Sequence, residues 1–123
     1  MGKRGSQQPI GRPLFHVSGH WSGDVLVVEV EGELDLATAP RLVEHLEAWI
    51  GSHDRSGYQV WIGMSNVGFL DVSGYRGLEE CEALFDASDG ILKITQPSPQ
   101  VRRLLGLVGR EDMIEEQRDS GSA

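Results

Sequence analysis

The residue types most capable of chemistry in this chain gather in Phe69-Leu70-Asp71-Val72-Ser73-Gly74, where an apolar pair runs into a carboxylate, a hydroxyl and a glycine. A serine at a sharp strand-to-helix turn can act as an acyl-transfer nucleophile. The Gly-x-Ser-x-Gly frame of such an elbow is missing, however, and no histidine partner is indicated. The same residues also have a purely structural use: Asp71 or Ser73 caps a following helix through its side-chain oxygen, and Gly74 lets the chain turn tightly.

Other reactive types are scattered. His16, His20, His45 and His53 lack the i, i+4 pairing or cysteine company of a metal site, so they read as surface histidines. Cys81 falls on an apolar helical stripe with no basic neighbour to activate its thiol, which makes it a core residue. Despite 16 glycines, neither Gly-x-x-x-x-Gly-Lys-Ser/Thr nor Gly-x-Gly-x-x-Gly occurs. A helix start near Asp35 and Asp71 could attract an anion, but two carboxylates oppose it, and Asp35 reads better as orienting a helix. We therefore expect no catalytic residue, no metal and no cofactor.

Positioning these residues requires a folded domain. The chain has 123 residues, 39% hydrophobic and 24% charged, which suits one globular domain with a real core. With 19 acidic against 11 basic residues, the net charge of −8 repels nucleic acid and anionic membranes. A single cysteine, no signal-like start and no apolar run of about 20 residues point to a soluble cytoplasmic protein.

Residues 1–13 and 117–123 are polar and aperiodic and read as flexible tails, leaving 14–116 as the domain. Leu14 to Val17 predicts a short first strand, Ser18 to Gly23 a turn, and Asp24 to Glu31 a stronger strand. Thr38 and Pro40 open a helix with Leu42, Val43, Leu46, Trp49 and Ile50 on one stripe. Tyr58 to Met64 predicts a central strand, weakened at Gly63 and followed by a loop around Asn66 and Gly68. A helix over Gly74 to Asp86 places Leu78, Cys81 and Phe85 together. Ile91 to Thr95 is a further strand. Ser98-Pro99 then starts a helix bearing Val101, Leu104, Leu105 and Val108 that stops at Gly109. Met113 and Ile114 end the core as a short strand or a helical turn. The order implies an α/β fold: a mixed sheet of four or five strands, its first two antiparallel, with packed helices on at least one face.

Three segments in this order, Glu31-Gly32-Glu33-Leu34-Asp35-Leu36-Ala37-Thr38-Ala39-Pro40, Phe69 to Gly74, and Pro97-Ser98-Pro99-Gln100-Val101-Arg102-Arg103-Leu104-Leu105, resemble a STAS domain, and within it the bacterial anti-sigma factor antagonists. The resemblance spans roughly Leu14 to Glu116. It implies a protein-binding regulator of transcription and not an enzyme. The partner it implies is an anti-sigma factor with a kinase-type ATP-binding fold, or another regulatory protein in a larger complex.

In that family a hydroxyl following the motif's Asp is phosphorylated to release the partner. Val72 stands at the usual acceptor position and has no oxygen, so Ser73 is the remaining phosphoacceptor candidate. The segment Trp61-Ile62-Gly63-Met64-Ser65 also lacks the polar group that often ends that strand. The expected partner-binding residues are Asp35, Asp71, Val72, Ser73, Gly74, Tyr75, Arg76 and Glu79, with Glu80 beside them.

Overall fold

The alternation of β-rich runs and amphipathic stretches is realised as four strands and three helices in a computed structural model, which describes residues 15–52, 57–87 and 90–115. In chain order these are β1 (Phe15–Ser22), β2 (Val25–Leu34), α1 (Ala39–Gly51), β3 (Gln59–Leu70), α2 (Val72–Asp86), β4 (Ile91–Thr95) and α3 (Pro99–Leu107), followed by a 3-10 turn at Glu111–Met113. The two predicted tails lie outside the described residues, as do Leu14, Glu116 and His53.

The sheet runs β1-β2-β3-β4. β1 and β2 are antiparallel, with Phe15 opposite Gly32 and Ser22 opposite Val25. The pairs β2–β3 and β3–β4 are parallel, as the intervening helices require. The first strand is longer than the sequence suggests. Residues 18–22 continue β1 and only the Gly23-Asp24 pair turns, because a hairpin partner supplies ladder bonds to a segment in which Trp21 alone favours strand by itself.

One sheet face buries Val17, Leu26, Val28, Val30, Val60, Ile62, Leu92 and Ile94, and against it pack Leu42 and Leu46 of α1 and Leu78, Cys81 and Phe85 of α2. Trp21, Tyr58 and Phe85 meet edge to face, with centroids 5.4 and 5.5 Å apart, and so tie the hairpin to α2. The opposite face carries His16, Ser18, His20, Glu29 and Trp61, all exposed.

The predicted loop at Asn66 and Gly68 is strand. β3 runs without a break to Leu70, but the register slips twice, between Glu29 and Glu31 and between Gly32 and Glu33, where β3 holds extra residues opposite β2. Each bulge shifts the inward phase. Buried positions therefore fall at Met64, Val67 and Leu70 instead of alternating.

α3 follows its sequence signals closely. The Ser98 hydroxyl accepts from the Val101 N–H at 3.3 Å and donates to the Val67 carbonyl at 2.5 Å, fixing the helix start against β3. At the other end Gly109 adopts φ +73°, and the Arg110 N–H reaches the Leu105 carbonyl at 2.8 Å in a Schellman closure. Met113 is buried in the 3-10 turn, and Ile114 then makes a single parallel bridge to Ile94. The chain end thus has both of the forms left open by the sequence.

Candidate partner-binding site

Parallel pairing brings the site together. Leu34 and Leu70 are the last partners on β2 and β3, so the residues that follow them, Asp35 and Asp71, emerge side by side at one end of the sheet. Each carboxylate organises a helix start. Asp71 is the N-cap of α2, and its Oδ1 accepts from the Gly74 N–H at 2.9 Å. Asp35 Oδ1 accepts from the N–H groups of Ala37 and Thr38 at 3.0 and 3.1 Å.

Thr38 does not cap α1 with its side chain, contrary to the sequence expectation. Its hydroxyl turns back into the preceding loop, donating to the Glu33 carbonyl at 2.7 Å and accepting from the Asp35 N–H at 2.9 Å. Asp35 and Thr38 therefore brace one another, and the loop between β2 and α1 is held as a unit.

Gly74 is buried under this loop. A Cβ there would collide with the Leu34 carbonyl oxygen and lie 2.9 Å from Leu70 Cδ1, so the loop and the first turn of α2 can only touch through a glycine. Val72, at the first position of α2, points outward and is 49% exposed. Leu36 at 77% and Phe69 at 42% are the other large apolar side chains exposed around the turn.

Ser73 is half-buried. It lines a hollow of about 210 Å³ with Leu36, Ala39, Pro40, Arg76, Gly77 and Glu80, where Arg76, Gly77 and Glu80 follow it at helical spacing. Its hydroxyl makes no hydrogen bond among the described residues. The α2 helix starts at Val72, two residues before the Gly74 start read from sequence, because Asp71 rather than Ser73 is the cap.

The remaining expected contacts divide by burial. Arg76, Glu79 and Glu80 are exposed, whereas Gly74 and Tyr75 are buried. The Tyr75 hydroxyl donates to the Glu79 carboxylate at 2.8 Å and accepts from Arg110 at 3.3 Å. Burial and the Glu79 carboxylate push the Tyr75 phenol above its ordinary pKa, partly offset by Arg110. Tyr75 thus faces the body of the domain.

Sequence reasoning missed Arg110. Its guanidinium bonds Asp112 at 2.9 Å and Glu82 at 2.9 Å, which holds it more firmly protonated and pulls the Asp112 carboxyl below its usual range. The signal for it was thin: an arginine one residue past a helix-ending glycine. Burial pushes the Cys81 thiol up to about 12, with Glu80 and Glu47 adding to the effect, so it has no nucleophilic character near neutrality. Among the described residues no three His, Cys, Asp or Glu side chains group as a metal would need, and no helix is long and apolar enough to cross a membrane.

A mixed four-stranded sheet with helices packed on one face, and a capped Asp-x-Ser-Gly turn at the end of its third strand, defines a small α/β domain built around an exposed strand-to-helix turn. The STAS domain profile matches residues 20–123, and the chain belongs to the STAS domain family. Among curated proteins no sequence matches it.

Several solved structures with the same fold are anti-sigma factor antagonists. The unphosphorylated form of the antagonist SpoIIAA superposes with a TM-score of 0.70 at 18% identity, covering 87% of this chain and 90% of that one. An antagonist from Mycobacterium paratuberculosis gives 0.67 at 24% identity, covering 82% and 83%. The phosphorylated form of the Bacillus cell fate determinant SpoIIAA gives 0.63 at 17%, covering 87% and 94%. The chain therefore has the STAS fold of the anti-sigma factor antagonists.

Proposed function

We propose that this protein is a cytoplasmic, non-enzymatic binding module that docks an anti-sigma factor with a kinase-type ATP-binding fold through the Asp71–Arg76 turn, and that it is not phosphorylated at position 72. One observation carries the reading: the outward position directly after the Asp71 cap holds an exposed valine, flanked by exposed Leu36 and Phe69. An apolar side chain there favours a lasting contact, and it offers no oxygen to a kinase. Asp35 and Asp71 hold the turn in shape, Gly74 lets it sit against Leu34, and Arg76 and Glu79 supply polar contacts at the rim.

A second reading has its own support. Ser73 carries a hydroxyl with no hydrogen bond among the described residues, half-open in a hollow beside Arg76. A phosphate there would meet the α2 N-terminus and the Arg76 guanidinium, and it would place about −1.5 to −2 charge inside the contact surface. A cost of ~3 kcal/mol would weaken binding about a hundredfold.

The experiment is to mix the protein and its Ser73→Ala variant with a kinase-fold anti-sigma factor and ATP, then follow phosphate incorporation and complex formation together. Stable complex with no phosphate in either protein is the expected result. Phosphate in the parent that disappears in the variant would establish the second reading, and failure to bind any such partner would overturn both.

A further inference from the structure

We propose that the groove between the end of β3 and α3 is a second docking site, one that takes a short acidic segment of a partner protein through its large apolar side chains. The groove, about 280 Å³, is lined by Phe69, Leu70, Gln100, Arg103, Leu104 and Leu107. It lies on the α3 side of Asp71, away from the hollow that holds Ser73. Phe69 is 42% and Leu107 is 74% exposed, so two large apolar side chains stand in water at its mouth.

Charge selects the occupant. Helix α3 carries Arg102 and Arg103 and no carboxylate, on a chain whose net charge is −8. Among the described residues Arg103 is the only charged one lining this groove, whereas the hollow at the β1 end contains Glu31 and Glu33 and the Ser73 hollow balances Arg76 with Glu80. At physiological salt the Debye length is about 8 Å, so the arginine at the rim outweighs carboxylates farther off. An apolar floor beside a cationic edge suits a helical segment that presents apolar anchors at i, i+3 or i+4 and acidic residues beside them.

This groove shares Phe69 with the edge of the surface proposed for the anti-sigma factor but rests otherwise on α3, and a peptide titration with no anti-sigma factor present lets the two readings fail separately. The probe is a short fluorescein-labelled peptide of glutamate, leucine and phenylalanine, with its apolar residues at helical spacing. Anisotropy titration is expected to give saturable binding that weakens about tenfold or more in Arg103→Glu and in Leu107→Ser. Both substitutions are at exposed positions, and circular dichroism confirms that each variant folds. Amide shifts in a nitrogen-15 spectrum are expected at Phe69, Leu104 and Leu107, while a Val72→Asp variant binds the peptide as the parent does.

Three results would overturn the proposal. They are the absence of saturable binding, equal binding of a peptide with lysine in place of every glutamate, and sedimentation showing that the groove is covered by a second copy of the chain, with Leu107→Ser restoring the monomer.

Discussion

At the level of single residues, the turn at Asp71 is held by contacts that leave little room. Gly74→Ala must push the Leu34 carbonyl or Leu70 aside, and we expect about 1–3 kcal/mol of destabilisation in urea unfolding, the usual cost of overpacking. Asp71→Ala removes the cap of α2 and is expected to cost about 1 kcal/mol in the same assay. Cys81 makes a pH prediction. Its folded pKa of about 12 lies above the ordinary 9.0, so its contribution to stability is complete below pH 9 and is lost as the pH rises toward 12. Unfolding curves of the parent should fall over that window more steeply than those of Cys81→Ala, and the folded parent should resist alkylation at pH 8.

At the level of elements, close contact between α1 and α2 depends on a small side chain. A Cβ on Gly77 would stand 2.6 Å from the Ala39 Cβ, so Gly77→Leu should force the helices apart and lower the melting temperature by several degrees. Arg110 ties α2 to the chain after α3 through Glu82 and Asp112. The folded Asp112 carboxyl lies below its ordinary 3.8, so this link stabilises above that pH and weakens as the pH falls through the lowered value. Arg110→Ala should therefore flatten the acid limb of a stability profile, modestly because Asp112 is largely exposed.

What sequence could show follows the same division. α3 was legible from Ser98-Pro99 to Gly109 because cap, proline and glycine each act through local backbone chemistry. The far half of β3 was not. Its two bulges break the period-two pattern by which a strand is recognised, and the ladder to β2 that holds it is non-local. β1 was truncated for a related reason, since residues 18–22 are strand only by pairing with β2. At the site, Asp35 and Asp71 could be read as structural carboxylates from their positions before helices. The burial of Tyr75 could not, because the groups that hold it there include Arg110, far along the chain.

For the whole molecule, parallel pairing concentrates the surface features: one end of the sheet gathers the β2–α1 loop, the β3–α2 turn and the start of α3. Apolar side chains project from that end while the chain as a whole is acidic. On the proposed reading, binding at the Val72 surface should depend weakly on salt and strongly on apolar area. We expect Val72→Asp to reduce affinity for a kinase-fold anti-sigma factor by a factor of about ten to a hundred with little change in melting temperature, checked by calorimetric titration.

The outward valine has a further consequence for timing. On our proposed reading, a module with a valine directly after its Asp71 cap is not reset by a covalent mark and is withdrawn only as fast as the complex dissociates and the chain is diluted or degraded. Its output would then follow copy number, as a titrant consumed in proportion to its partner, and the cell would control the response through synthesis and turnover.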